Sequence, residues 1–281
     1  MVRIVTDTTS GLTLEMAESL GVALIPQIVV VGDESYRDDT ELDTVAFLEK
    51  LKTSPVLPKT AAPPPSLYKP IFDEYQATGE TVICLHPSAK VSGTVRSATV
   101  AKRDYPDADI RVIDTQLVAG PLGSVVHLAA RWARDGVDAD TIVSRIEELS
   151  QRVQIFFVVD TLEYLHKGGR IGLASVLVGS LLQIKPILRW EDGQIVPLEQ
   201  QRTGRRALAR LRKLVEESCP HGDNCYLSVN HAGAEQTACE MADEFARELG
   251  ISEVPVLLLP PAIVVHAGPG TIAVGFFTAP D

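Results

Sequence analysis

The chain has 281 residues, and 26 lysines and arginines against 37 aspartates and glutamates leave a formal charge of −11. A surface this acidic has no overall attraction for nucleic acid or anionic membrane, so nucleic acid is excluded as a partner and membrane contact is at most transient. With 45% hydrophobic and 22% charged residues, the chain is not disordered, a coiled coil or collagen-like. Its length predicts two domains of about 150 residues each. No apolar run reaches the roughly 18 residues of a membrane span, and Met1-Val2-Arg3 leads into no signal-peptide core. Cys84, Cys219, Cys225 and Cys239 form no C-x-x-C pair, which suits reduced thiols in a cytoplasmic protein. Cys219 and Cys225 flank Pro220-His221-Gly222, where a local disulfide or a weak metal site is the less favoured reading.

Short β-branched runs alternate with helical patterns from the start of the chain. Residues 2–6 read as a strand, 12–20 as a helix stopped by Gly21, and 22–31 as one strand region ending in a Gly32-Asp33 turn. A helix over 44–52 runs into a loop punctuated by Pro55, Pro58, Pro63, Pro64 and Pro65. Then come a helix at 66–76, a strand at 81–86, a helix at 92–103, a strand at 110–114, and helices at 121–134 and 139–151. The pattern changes near residue 155. A strand at 155–159 and an apolar helix at 173–182 precede strands at 187–190 and 194–200, joined by Glu191-Asp192-Gly193, a hairpin signal. A basic helix at 205–217, a strand at 225–229, a helix at 234–249 and two strand-like runs complete the chain. The class is therefore α/β, with a parallel-sheet domain over 1–155 and a domain with more antiparallel character over 156–281.

Five polar clusters stand out. Asp7-Thr8-Thr9-Ser10 follows the first strand, where open α/β sheets bind ligands, although the same residues also suit helix capping. Lys59-Thr60-Ala61-Ala62 carries no chemistry by itself. Ser88-Ala89-Lys90-Val91-Ser92-Gly93-Thr94 puts Ser92 at a helix start, where backbone N–H groups attract anions. Ser92 reads as a binding hydroxyl, a cap or, less readily, a nucleophile; it lies in no P-loop and no G-x-S-x-G elbow. In the fourth cluster, residues 160–172, Gly168 and Gly169 release the backbone beside Lys167 and Arg170. With Lys185, Arg189, Arg202, Arg205, Arg206 and Arg210 they make this half locally basic, as phosphate or an acidic partner would require. His266 precedes Ala267-Gly268-Pro269-Gly270 and is either a buried, satisfied histidine or an anion ligand. No histidine has metal-ligand spacing. The surviving groups suit holding a carboxylate better than breaking a bond.

In this order the clusters resemble the DegV family over essentially the full length. The similarity is strongest at residues 4–10, Ser92-Gly93-Thr94 with Ser97-Ala98, residues 160–172, and His266-Ala267-Gly268-Pro269-Gly270. The resemblance implies a Rossmann-like N-terminal domain and a C-terminal α/β domain with a mixed or antiparallel sheet, with a lipid tunnel between them. It implies no cofactor and no catalytic residue, only a bound long-chain fatty acid. A separate fatty acid kinase subunit would phosphorylate its carboxylate. Carried over by position, Thr60, Ser92, Gly93 and His266 would hold the carboxylate, and Arg170 and Arg202 would face the kinase or the phosphate. The sequence departs from the family pattern at Ala61-Ala62-Pro63-Pro64, at Val95-Arg96 and at His166. The apolar tail wall is expected from residues 173–182 and 28–31. Two other classes stay open: a stand-alone serine acyl hydrolase or acyltransferase using Ser92 and His266, and a sugar or nucleotide phosphotransferase relative.

Overall fold

The computed structural model describes residues 1–180 and 184–278. Four strands form a wholly parallel sheet. β1 (Val2–Asp7) sits at its centre beside β2 (Ala23–Ile25) on one side. Two further strands, β3 (Ile28–Val31) and β4 (Glu34–Arg37), pair antiparallel with each other, and β5 (Lys59–Ala61) joins the free side of β3. β6 (Thr81–His86) and β7 (Ile110–Asp114) then complete the parallel sheet in the order β2-β1-β6-β7.

From Gln154 onward the strands enter a six-stranded mixed sheet. It contains β8 (Gln154–Val158), β9 (Lys185–Glu191), β10 (Gln194–Gln201), β11 (Cys225–His231), β12 (Val256–Leu258) and β13 (Ile272–Thr278), ordered β10-β9-β8-β13-β11-β12. All neighbours are antiparallel except β11 and β12. The mixed α/β expectation therefore holds.

Helices α1 (Leu14–Leu20), α2 (Thr44–Thr53), α3 (Lys69–Thr78) and α4 (Thr94–Lys102) fall in the first half. α5 (Ala119–Arg134) lies between the two large sheets. Its buried Leu122, Val125 and Val126 pack with Ile4 of β1 and Phe277 of β13. Its Gly120 N–H donates to Asn230 Oδ1 of β11 at 3.0 Å. Beyond it run α6 (Ala139–Arg152), α7 (Glu163–Lys167), α8 (Gly204–Ser218), α9 (Glu235–Leu249) and α10 (Pro261–Ala267). α8 and α9 cover one face of the mixed sheet, and Cys219 and Cys225 lie in that core as thiols with sulfurs 2.9 Å apart.

Several predicted elements need correction. The run 22–31 is two strands in two sheets, because the chain turns at Pro26-Gln27 and Gln27 N bonds Asp38 instead of a neighbouring strand. The proline-rich loop contains β5, whose partner β3 no local pattern announces. The helix expected at 66–76 starts as a 3-10 turn over Pro65–Leu67 and becomes α-helical only at Lys69. The apolar segment is a 3-10 helix over Gly172–Ser180, and the rest of the expected 173–182 helix lies outside the described residues. Ala174 and Leu177 are buried while Leu173 and Val176 are exposed, the three-residue period of a 3-10 helix. The first of the two terminal runs supplies only the short β12 before α10. Pro261 favours a helix start, and the nearly complete burial of α10 erases the polar stripe that would have betrayed it.

At Gly123 of α5, a Cβ would stand 2.5 Å from the Ser10 carbonyl oxygen, so the helix can approach the 3-10 turn Thr8–Ser10 after β1 this closely only with a bare glycine there. Helix propensity alone would make Gly123→Ala stabilising by about 1 kcal/mol. The clash with backbone reverses that sign, and urea unfolding is expected to show a loss of about 1–3 kcal/mol. A gain in stability would mean that α5 moves away freely.

Candidate functional site

A cavity opens where the carboxyl ends of β1 and β6 meet the mixed sheet, the usual place for a ligand in an open α/β sheet. The space between its walls is about 960 Å³, mouth included. Most of the wall is apolar: Val118, Ile155 and Phe157 of β8, Ile195 of β10, Ala262 of α10 and Ala273 of β13. The expected tail wall is corrected in part: residues 28–31 and 173–177 do not line the cavity, and the remaining side chains of 173–182 lie outside the described ones. The short β3 is instead occupied with α2 and α10.

Thr60, Ser92, Gly93, Arg170 and His266 all line this cavity, and contacts tie them into one group. Thr60 Oγ1 and His266 Nε2 are 2.8 Å apart. A Cβ on Gly93 would stand 3.2 Å from Ala62, two residues from Thr60. Arg170 Nε donates to the Val91 carbonyl at 3.0 Å, and Nη1 to the Gly168 carbonyl at 2.7 Å. Gly93 N-caps α4, so Ser92 stands just ahead of the helix instead of within it. Arg202 is not part of the group. It is exposed in the turn before α8, whose N-cap is Thr203.

His266 is neutral. Burial, aided by the Arg170 charge, pushes its pKa down to about 4. Its Nδ1 is buried without a partner among the described residues, because Gly168 packs directly on it: a Cβ there would collide with Nδ1. A buried lone pair left alone costs less than a buried N–H left alone. The ring proton therefore sits on Nε2 and donates to Thr60 Oγ1, which leaves the Thr60 hydrogen for the cavity. The double glycine thus has two separate causes. Gly168 makes room for His266, whereas Gly169 has φ +70°, a conformation side chains disfavour.

Nothing among the described residues joins Ser92 to His266 by a hydrogen bond. The histidine is spent on Thr60, and Ser92 Oγ lies 2.7 Å from Thr94 Oγ1. The serine-nucleophile reading thus loses its base, since a nucleophile needs one within hydrogen-bond reach.

Asp7-Thr8-Thr9-Ser10 both caps and approaches the ligand space. Asp7 Oδ1 accepts the Thr9 N–H at 3.0 Å, and Thr9 lines the cavity. Sequence reasoning missed Gln27, which also lines it. The available signal was one amide interrupting an otherwise apolar run. It also missed Asp38, whose Oδ1 accepts the Thr8 hydroxyl and the Gln27 N–H, each at 2.8 Å, while Oδ2 is buried without a partner among the described residues. Burial, with smaller contributions from the charges of Asp7 and Asp39, raises the Asp38 pKa to about 7. The β9–β10 hairpin closes one side of the cavity. Trp190 Nε1 donates to the Gln116 carbonyl at 2.6 Å, and Ser88 Oγ to the Gly193 carbonyl at 2.6 Å.

The family model described as uncharacterised protein, DegV family, matches residues 1–279. A DegV domain-containing protein of Halalkalibacterium halodurans is 37% identical over 277 residues, 98% of each chain. A solved structure described as fatty acid binding of a DegV family protein from Thermus thermophilus superposes with a TM-score of 0.92 at 29% identity, covering 99% of both chains. A stearic-acid-binding protein from Eubacterium ventriosum superposes with a TM-score of 0.90 at 25% identity, again over 99% of both.

The raised pKa of Asp38 has a definite sign. Its contribution to stability is whole below the unfolded value of about 4 and is lost as pH rises through about 7. Asp38→Asn is expected to gain on the parent chain by at least about 1 kcal/mol between pH 5 and pH 8, read by urea unfolding at each pH. Parallel stability curves would show that Asp38 is already ionised at pH 5.

Proposed function

The chain belongs to the DegV family, and from that premise we propose that it binds a long-chain fatty acid in this cavity and presents the carboxylate to a separate fatty acid kinase subunit. The observation that carries this reading is an apolar cavity with two outward-facing hydroxyls and a neutral histidine gathered at one place on its wall. Relatives described as binding fatty acids support it. The cavity and its polar cluster draw on both the 1–155 and the 156–281 segments, in keeping with a ligand held between two domains.

Each methylene transferred from water contributes about 0.8 kcal/mol, so a tail of about sixteen carbons dominates affinity. The carboxylate loses water on entry and must be repaid in hydrogen bonds. Thr60 and Ser92 supply those O–H donors, while neutral His266 supplies no charge. In the transfer, a carboxylate oxygen bonds to the γ-phosphorus of ATP while the bond to ADP breaks and ADP leaves with its electron pair. The partner brings ATP and its metal, so this chain is not an enzyme alone and needs no cofactor of its own. The demand for ATP favours the cytoplasm. Arg170, on the cavity wall, faces the new phosphate; exposed Arg202, with exposed Arg205 and Arg206, forms the docking side.

Native mass spectrometry of the purified chain is expected to release a near-stoichiometric fatty acid. Ser92→Ala and Thr60→Val should each weaken binding about 10- to 100-fold, the worth of one hydrogen bond to a charged group. Failure to bind any acid of about twelve to twenty carbons would end this reading. Arg170→Ala should keep the acid yet lose acyl-phosphate formation with added kinase, and Arg202→Ala should weaken the kinase complex alone. Loss of acid binding in either arginine variant would assign that arginine to the ligand instead.

A further inference from the structure

Behind Ser92 runs a line of buried hydrogen bonds that the proposed function does not use. We propose that Gln27 and Thr94 are positioning residues that fix the direction of the Ser92 hydroxyl, so that it meets the cavity only as a donor. This inference rests on the fatty-acid reading and deepens it by assigning what makes the site select an anion.

The direction follows from donor and acceptor inventory alone. Tyr68 is fully buried, and its hydroxyl has His86 Nε2 as its partner at 3.1 Å. Asp7 can only accept, so the direction of the line is set at its carboxylate. His86 Nδ1–H therefore donates to Asp7 Oδ2 at 2.7 Å. Asp7 Oδ1 receives the Thr9 N–H at 3.0 Å, the Thr9 hydroxyl at 2.6 Å and the Gln27 side chain at 2.9 Å. A carboxylate has only acceptors, so the Gln27 amide must face it with nitrogen. The second hydrogen on that nitrogen goes to Thr94 Oγ1 at 2.9 Å. Thr94 is fully buried, and its own hydrogen needs an acceptor; among the described residues Ser92 Oγ, 2.7 Å away, is the one in place. Ser92 Oγ also receives the Thr94 backbone N–H at 3.3 Å. Both of its lone pairs are then engaged. What remains is its O–H, which has no acceptor among the described residues and belongs to a side chain that lines the cavity.

A hydroxyl held this way repels donors and welcomes acceptors. A carboxylate gains fully, whereas a fatty alcohol, whose own O–H finds no lone pair on Ser92, gains less. Without the relay, Ser92 turns freely and accepts as well as donates.

The test compares binding of palmitic acid and hexadecanol by the full chain. Thr94→Val, nearly the same shape without the hydroxyl, is expected to lower the ratio of acid to alcohol affinity about 5- to 30-fold. Thr94→Ser should restore it. Gln27→Met, which removes the amide but keeps the length of a side chain that itself lines the cavity, should lower the ratio in the same sense and serves if Thr94→Val does not fold. A purely structural role for Thr94 would weaken both ligands equally and leave the ratio unchanged, which overturns the relay while the fatty-acid reading stands. A parent chain that binds neither ligand overturns both.

Discussion

One buried carboxylate organises this molecule. Asp7 ends the central strand of the parallel sheet with no exposure to water. A charge placed there costs several kcal/mol unless every lone pair finds a donor. The donors come from the turn after β1, from the Gln27 link between two sheets, and from His86 at the end of β6. Satisfying Asp7 therefore fixes the carboxyl edge of the sheet, and that edge is the floor of the cavity. A structural need and a functional one are met by the same hydrogen bonds.

The site carries visible costs around this anchor. Among the described residues, His266 keeps a buried nitrogen without a partner, and Asp38 a buried oxygen. Such groups are rare in folded proteins and collect where function demands them. The orphan nitrogen of His266 follows from Gly168 pressing on the ring, which holds the Nε2–H on Thr60. The raised pKa of Asp38 lets a second acid sit next to Asp7 without both bearing charge. Two hydroxyls from distant parts of the chain are thereby both turned outward, by different buried partners, onto an apolar channel.

Much of the architecture was readable because it repeats locally. The β1 strand, the 81–86 and 110–114 strands, the amphipathic α6 and α9, and the Asp192-Gly193 hairpin all follow from periodicity and turn chemistry. Asp192 and Gly193 both adopt positive φ, as a two-residue hairpin turn requires. Failures cluster where burial is nearly complete or a strand is very short. α10 has no polar face to show, and β5 has three residues whose only reason to be a strand is β3. The Gly172–Ser180 segment was readable as apolar, but its three-residue period separates from a helical one only when exposure is known.

The sequence by itself determined the α/β class, the change of sheet style near residue 155, the family, and the identity of Thr60, Ser92, Arg170 and His266 as residues of interest. The class and the change of style are properties of residue type and spacing along one dimension; Thr60 was singled out only by the resemblance to the family. Only the tertiary structure decided which groups pair: that His266 serves Thr60 and not Ser92, that Gly168 yields space while Gly169 yields φ, that Arg202 stands apart, and that Gln27 reaches Thr94. The reason is physical. A hydrogen bond depends on distances of a few ångströms between residues as far apart in the chain as Thr60 and His266, 206 positions, and no local pattern carries that distance.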